Sequence, residues 1–200
     1  RYMLNYTYMD STQFQIIQGD NPILFSAPHS FAHRRPSLNV GYKVAEPYTD
    51  EIVKKVCEET RAWGIYLSNE CDFDPNYHKE RKNIYKQKIK EIVVENKIKK
   101  LIDIHGMKDS EYFDIGIYYT TRFSKSLQLA YEIEELLDKG KLKGLNIQIL
   151  RFFDNDQETI GEYSASKLRI PAVQIEIARY IREEEHLREC LIENLSNVTN

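Results

Sequence analysis

Hydrophobic positions along the chain follow two different periods, and their order predicts the order of the secondary-structure elements. Short runs in which every second residue is apolar are typical of strands, and stretches in which apolar residues recur every three or four positions are typical of helices. The predicted strands cover 14–17, 23–27, 65–68, 101–105, 115–120, 147–150 and 172–178. The predicted helices cover 49–62, 83–96, 124–137, 162–168 and 183–195.

The alternation of strands with helices favours a mostly parallel sheet, because parallel neighbours need a long crossover connection between them. We therefore predict an α/β fold, a three-layer α/β/α sandwich in which a mostly parallel, mixed sheet is covered on both faces. Gly64 is expected to end the first long helix. At 200 residues the chain is long enough for one sizeable core and short for two, so residues 1–200 are expected to form a single domain.

Composition and charge exclude several function classes. Hydrophobic residues make up 42% of the chain and charged residues 30%, which is ordinary for a globular protein. A formal net charge of −3 gives no electrostatic support for nucleic-acid binding. No apolar run approaches the roughly 20 residues that span a bilayer, and no signal peptide is recognised, so we expect no membrane partner and a cytoplasmic location. The sequence leaves the oligomeric state open.

The strand 101–105 carries polar groups where an inner strand should be apolar. Strand alternation places Asp103 and His105 on the same face as Leu101. Inner strands of α/β sheets are usually apolar on both faces, so these two side chains need a reason. Ligands in open α/β sheets bind beyond the carboxyl ends of the strands, so we predict that His105 belongs to an active site. A solvated strand end is the alternative.

Two other predicted strands end on groups of the same kind. His29 follows the strand 23–27, which stops at Pro28, and Glu176 lies late in the strand 172–178. A buried carboxylate without a partner is costly, so Glu176 should meet a metal, a proton or an arginine. The recurrence of such groups at three strand ends favours a site over three separate solvated ends.

Two histidines and one carboxylate with an open position form the ligand set of a catalytic zinc ion. His29 and His105 are the predicted histidine ligands, and Glu176 can serve as a general base. His33 lies four residues after His29 in a loop bounded by prolines and is treated as secondary. The pattern alone leaves the third ligand open among three acids: Glu46, Asp50 and Glu51. Stabilisation of a helix start is the alternative role for the last two.

Three short motifs resemble those of the N-formylglutamate amidohydrolase family. The segment SAPHS at 26–30 resembles its Pro-His-Ser/Gly motif, IDIHG at 102–106 resembles its Asp-x-His-Ser/Gly strand end, and QIEI at 174–177 resembles its Gln-x-Glu strand. The order and approximate spacing of the motifs agree, and the resemblance covers about residues 23 to 182. The family is similar in fold to the zinc carboxypeptidases, a phosphorylase/hydrolase-like α/β/α sandwich.

The resemblance implies roles for the residues that match the motifs. It implies that His29, Asp50 and His105 hold a zinc ion, with Glu51 as the fallback for the carboxylate. Glu176 would then take a proton from the attacking water and later pass it to the leaving amine. Two further side chains are expected beside the ligands: Asp103 and Ser30.

The segment DPN at 74–76 is similar to the family's Asp-x-Asn-Arg, in which Asn and Arg face the carboxylates of the substrate. Asn76 is thus expected to bind substrate. Tyr77 stands where that arginine is expected, so Arg81 or the pair Arg34 and Arg35 would have to supply the charge. A guanidinium is the expected partner because it binds carboxylates bidentately.

These inferences together predict a zinc-dependent amidohydrolase that cleaves a C–N amide bond in a small, acidic N-acyl amino acid such as N-formylglutamate. A zinc carboxypeptidase-like enzyme or a γ-glutamyl peptidase with the same chemistry is the first alternative. The second is a binding module of the same fold that keeps the pocket without the chemistry, for which the departure at Tyr77 is the motivating observation.

Overall fold

The computed structural model describes residues 13–35, 41–110, 112–120, 123–152 and 158–199. These residues contain one sheet of seven strands in the order β1-β3-β2-β4-β7-β5-β6. The strands are β1 (Phe14–Ile17), β2 (Asn21–Ala27), β3 (Ala62–Leu67), β4 (Lys100–Gly106), β5 (Ile115–Tyr119), β6 (Ile147–Arg151) and β7 (Ala172–Ile177).

The sheet is mixed and mostly parallel, as predicted. Strands β3, β2, β4 and β7 run in the same direction. Strands β5 and β6 are parallel to each other, and β5 is antiparallel to β7. At the other edge β1 is antiparallel to β3. The carboxyl ends of the four central strands therefore meet at one edge of the sheet.

Helices cover both faces of the sheet and complete the three-layer α/β/α sandwich. They are α1 (Thr49–Thr60), α2 (Ile84–Glu95), α3 (Ser124–Leu137), α4 (Ile160–Tyr163), α5 (Arg179–Glu183) and α6 (Glu185–Leu195). The apolar residues of α1, α3 and α6 pack in one core layer, and those of α2 and α4 pack in the layer on the opposite face. Within the described part of the chain, no helix has the length and apolar character needed to cross a membrane.

Gly64 does not end the first helix, contrary to the prediction. Helix α1 stops at Thr60, and Arg61 takes the left-handed conformation with φ 59°. Gly64 lies inside β3, where a Cβ atom would come within 2.8 Å of Cys57 Sγ. The glycine therefore lets α1 pack closely on the sheet.

The predicted closing helix at 183–195 corresponds to α6, which begins at Glu185 after the extended backbone of Glu184, and the short helix α5 precedes it. The helix predicted at 162–168 begins earlier, because Thr159 and Glu162 form a capping box at its start. It continues from α4 as a π-helical segment, Ser164–Leu168.

Along the central strands, the side chains of one face change from apolar to polar towards the carboxyl end, and the site lies at that polar end. In β4, Ile102 and Ile104 pack under α1, α3 and α6, while Leu101 packs on the opposite face. Asp103 and His105 continue that opposite face towards the carboxyl end of the strand. The apolar layer thus ends where the polar side chains begin, as strand alternation predicts.

Candidate metal centre and its cavity

Two histidines and one glutamate from separate parts of the chain converge at the carboxyl ends of the central strands. His29 lies two residues after the end of β2, Glu46 lies in the loop before α1, and His105 lies on β4. Glu46 Oε1 is 3.0 Å from His29 Nδ1, and Glu46 Oε2 is 3.2 Å from His105 Nδ1. All three side chains are buried. We call these three residues the His-Glu-His cluster.

The far nitrogen of each imidazole ring is held by another buried carboxylate. His29 Nε2 lies 2.9 Å from Asp74 Oδ1, and His105 Nε2 lies 3.0 Å from Asp103 Oδ2. A carboxylate at Nε2 favours a proton on that nitrogen, so Nδ1 is the nitrogen that faces Glu46 and can bind a metal. A cation that took the place of the Nδ1 protons would be bound by both Nδ1 lone pairs and by the carboxylate. The donor set therefore fits a metal ion.

The charges of the cluster are mutually dependent. Burial alone would raise the pKa of the Glu46 carboxyl, but His29 and His105 hold that pKa well below its usual range. Burial alone would lower the pKa of the His105 imidazole, but Asp103 and Glu46 raise it well above its usual value. The surroundings of His105 thus favour positive charge, which a bound cation also supplies.

The loop that carries Glu46 is fixed from both sides of the cluster. The Glu46 backbone N–H donates to His29 O at 2.8 Å, and the Gly106 N–H donates to Glu46 Oε2 at 3.0 Å. Thr49 Oγ1 donates to the Glu46 carbonyl at 2.8 Å and joins the loop to the start of α1. The bonds to His29 and Gly106 connect residues 17 and 60 positions apart, so no local sequence pattern predicts them.

The carboxylate of the cluster is Glu46 rather than Asp50 or its fallback, Glu51. Asp50 Oδ2 lies 2.7 Å from Lys54 Nζ, and Glu51 Oε1 lies 3.2 Å from Arg188 Nε. Both acids belong to the first turn of α1, whose buried positions in that turn are Thr49 and Ile52. Their carboxylates therefore bind cations along α1 and α6, away from the two histidines.

A second group of metal-competent residues shares one histidine with the cluster: His29, His33 and Asp74. It is a poorer site, because the two imidazole rings are stacked 3.9 Å apart at 10° and their lone pairs lie in nearly parallel planes. Arg35 Nε also donates to Asp74 Oδ2 at 2.6 Å and already supplies a positive charge. Burial and His29 lower the pKa of His33 to about 4, so His33 is neutral at pH 7.

Glu176 stands beside the cluster. It is the register neighbour of His105 across the parallel pair of β4 and β7, so the two side chains leave the same face of the sheet. Its Oε1 accepts a hydrogen bond of 2.7 Å from Gln174 Nε2. Glu176 is only partly buried, and in the described residues no hydrogen bond to its Oε2 is found. This carboxylate is therefore oriented and still open to the cavity.

Asn76 and Ser30 lie near the cluster but are bonded within the protein. Asn76 Nδ2 donates to Gln174 Oε1 at 3.2 Å, and Asn76 Oδ1 accepts from the Ile160 N–H at 2.6 Å. Ser30 Oγ donates to backbone carbonyls of the β2 and β3 strands and fixes the turn that carries His29. The geometry thus gives both residues a positioning role, and the substrate contact of Asn76 stays a prediction.

A cavity of about 640 Å³ opens over the cluster. Arg34 and Arg81, predicted to bind substrate, are both exposed and lie outside its lining. Arg34 instead covers the ring of Tyr42, and Arg81 lies in a short helical turn before α2. Besides the buried Arg182, four cationic side chains line the cavity, and Arg35 is the member of the predicted Arg34–Arg35 pair among them: Arg35, Lys43, Lys108 and Arg179. Two aromatic rings, Tyr118 and Phe152, form part of the wall with their centroids 5.4 Å apart.

Sequence reasoning assigned no role to Asp74 or Gln174. Gln174 lies on the same face of its strand as Glu176, so the period of two contained the necessary signal. Asp74 stands in the segment already singled out for Asn76, but its contact with His29 spans 45 positions and has no local signature.

Neither a protein-family model nor a curated protein sequence matches this chain. Its fold matches solved structures of amidases and desuccinylases. The chain aligns with a succinylglutamate desuccinylase from Chromobacterium violaceum at a TM-score of 0.60 and 12% identity, over 92% of this chain and 63% of that one. It aligns with a bacteriophage poly-gamma-glutamate hydrolase at 0.54 and 15%, over 94% and 89% of the two chains.

A third similar structure is the N-acetylmuramoyl-L-alanine amidase AmiC2 of Nostoc punctiforme, with a TM-score of 0.54, 13% identity and coverage of 90% and 94%. At these identities the likeness shows the fold alone. The chain therefore shares the α/β/α fold of these proteins.

Proposed function

We propose that this protein is a zinc-dependent hydrolase that cleaves a C–N amide bond. One observation carries the proposal: the Glu46 carboxylate lies between the Nδ1 atoms of two buried histidines whose Nε2 atoms are held by Asp74 and Asp103. Imidazole and carboxylate are the ligand types that zinc prefers, and outer carboxylates that orient the histidines strengthen such sites.

The residues of the site divide between holding the ion and moving a proton. His29, Glu46 and His105 would hold zinc, which supplies a Lewis acid and lowers the pKa of bound water to about 7. Gln174 fixes Oε1 of Glu176, so Oε2 is the atom that accepts a proton from the attacking water. The same atom then delivers that proton to the nitrogen that leaves.

We infer that the substrate is small and carries a carboxylate near the amide, as in N-formylglutamate. The cavity lining contains two carboxylates, Glu46 and Glu176, and a larger number of cations. Lys108 is exposed directly beyond β4 and, among the described residues, has no hydrogen-bond or ion-pair partner. It is available to bind a carboxylate of the substrate. A γ-linked acidic peptide places a carboxylate similarly and is the second substrate to test.

The experiment is hydrolysis by the zinc-loaded protein of a matched panel: N-formyl-L-glutamate, N-succinyl-L-glutamate, a γ-glutamyl dipeptide, N-acetylmuramoyl-L-alanine, and N-formyl-L-leucinamide, which has no carboxylate, as the neutral control. We expect turnover of at least one acidic amide, loss of activity on removal of zinc, and a higher KM for that substrate in Lys108→Gln. The KM for N-formyl-L-leucinamide, if it is turned over, should not change in Lys108→Gln.

Two results would contradict the proposal. A protein that binds zinc but hydrolyses none of these amides is better described as a binding module. A protein that turns over N-formyl-L-leucinamide as fast as the acidic amides has no preference for a carboxylate, which refutes the substrate class while leaving the reaction intact.

A further inference from the structure

Arg182 is a buried cation that joins three separate strand-end loops. Only 3% of its surface is exposed. Its Nε donates to Ile177 O at 3.1 Å, its Nη1 to Pro47 O at 2.5 Å, and its Nη2 to Met107 O at 3.0 Å. All three nitrogens of the guanidinium are therefore bonded to backbone carbonyls, and each carbonyl belongs to a different segment of the chain.

Each of these carbonyls lies next to a residue of the site. Pro47 directly follows Glu46, Ile177 directly follows Glu176, and Met107 comes two positions after His105. The planar guanidinium has its donors in a fixed arrangement, so the three carbonyls must keep a fixed spacing around it. A change in that arrangement would therefore move the segments that carry Glu46, His105 and Glu176.

Gly106 makes this arrangement possible. A Cβ atom at position 106 would lie 2.7 Å from Arg182 Nε and 2.8 Å from Arg182 Nη1, so any other residue would displace the guanidinium. The Gly106 N–H in turn donates to Glu46 Oε2 at 3.0 Å. Gly106 thus packs against Arg182, donates to the carboxylate of Glu46, and directly follows His105 in the chain.

A nearby arginine provides a natural comparison. Arg188 is also buried, with 8% of its surface exposed, and lies on α6. Its Nη1 donates to Arg182 O at 2.6 Å and to Glu183 O at 3.2 Å, and its Nε contacts Glu51. Arg188 therefore stabilises the α5–α6 region with a similar number of bonds, but none of these bonds goes to the loops after the site residues.

We propose that Arg182 is a positioning residue that sets the spacing of Glu46, His105 and Glu176 by holding the backbone one or two residues after each of them. For the effect of Arg182 on metal binding, the inference rests on the zinc centre proposed above. The effect of Arg182 on the geometry of the metal-free protein does not depend on zinc.

The first measurement is the zinc dissociation constant, determined by competition with a chromophoric chelator, in matched lysine variants. Lysine keeps the charge but has a single compact head that cannot reach three carbonyls in the same plane. We expect Arg182→Lys to weaken zinc binding by about 10- to 100-fold, the range for loss of an outer partner of a metal site. Arg188→Lys should leave the zinc dissociation constant within about threefold of wild type, even where it lowers the melting temperature equally.

Gly106→Ala tests the same arrangement from the other side. Its added methyl group displaces the guanidinium, so it should weaken zinc binding by a similar factor. Because both changes then act on one contact, Gly106→Ala/Arg182→Lys should weaken binding by clearly less than the product of the two single effects. Independent, multiplicative effects would overturn the proposal. Should Arg182→Lys fail to fold, Gly106→Ala alone is compared with Arg188→Lys.

The second measurement needs no metal. The ring ¹⁵N resonances of His29 and His105 in the metal-free protein report their hydrogen bonds with Glu46. We expect both to shift in Arg182→Lys and not in Arg188→Lys. Wild-type protein that binds no zinc while these resonances shift as expected refutes the zinc centre and supports the role of Arg182. Tight zinc binding with unshifted resonances in Arg182→Lys refutes the role of Arg182 and leaves the zinc centre in place.

Discussion

Replacement of Glu46 by glutamine tests the assignment of the third ligand. The substitution keeps the size of the side chain and removes its charge. Two histidine nitrogens now lie 3.0 and 3.2 Å from the carboxylate oxygens, and the Gly106 N–H lies 3.0 Å from one of them. An amide cannot serve both histidines as an acceptor, because one of its two polar atoms is a donor.

The size of the effect follows from burial. Breaking a buried charge pair by removing one partner costs about 3–5 kcal/mol. Because glutamine retains one acceptor, we expect the free energy of unfolding of the metal-free protein to fall by about 3 kcal/mol, the lower end of that range. Zinc binding should weaken by at least about 100-fold, the upper end of the range for an outer partner, because a direct ligand is lost.

Asp50→Asn is the matched control. It removes a carboxylate only four positions after Glu46. The partner of this carboxylate is Lys54 on the surface of α1, whose Nζ lies 2.7 Å from Asp50 Oδ2. Such a pair contributes roughly 0.3–0.5 kcal/mol, and the favourable effect of an acid at a helix start adds about as much. We therefore expect a loss of at most about 1 kcal/mol in stability and no change in zinc affinity.

Two assays decide between the two acids: urea denaturation of the metal-free protein at pH 7.5, and zinc affinity by chelator competition. Weak zinc binding in Asp50→Asn together with wild-type binding in Glu46→Gln would refute this reasoning. It would show that the loop before α1 rearranges so that Asp50, as the family resemblance implied, reaches the ion.

Three further predictions concern the surroundings of the cluster. Glu176→Gln should reduce kcat by about 10²-fold or more while zinc stoichiometry stays at that of wild type; an unchanged kcat contradicts a general base at this position. Asp103→Asn should weaken zinc binding by about 10- to 100-fold, because the amide holds the His105 proton less strongly; equal affinity would contradict the bond at 3.0 Å. Burial lowers the pKa of Lys86 in the folded protein from 10.5 to about 8. Between pH 8 and 10.5 the unfolded chain therefore keeps a Lys86 proton that the folded protein has lost. The free energy of unfolding of wild type, relative to Lys86→Met, should therefore rise by about 3 kcal/mol between pH 8 and 10.5, and a flat difference contradicts the shift.

The order of strands and helices could be predicted because the apolar period follows directly from packing on a sheet. The same reasoning located the polar face of β4, since Asp103 and His105 interrupt an apolar face that Leu101 begins. It failed at Gly64, where the residue type suggested a helix end. There the glycine is required by a contact with Cys57 that lies outside any local window.

The third member of the cluster could not be chosen from sequence. Glu46 lies in a loop without a period, and its position depends on bonds to His29 O and the Gly106 N–H, 17 and 60 positions away. Asp50, in contrast, lies at a recognisable helix start, where acids are common for another reason. The sequence likewise could not show which of the predicted arginines line the cavity, because only the folded loops decide which cations reach it: Arg35 lines it, and Arg34 and Arg81 do not.

The central claim is that one zinc ion lies between His29, Glu46 and His105. Anomalous diffraction at the zinc absorption edge from crystals of the zinc-loaded protein tests it most directly. We predict a single peak at about 2.0–2.2 Å from both Nδ1 atoms and from a Glu46 oxygen. A peak instead at His33 and Asp74, or no peak within bonding distance of Glu46, would contradict the account.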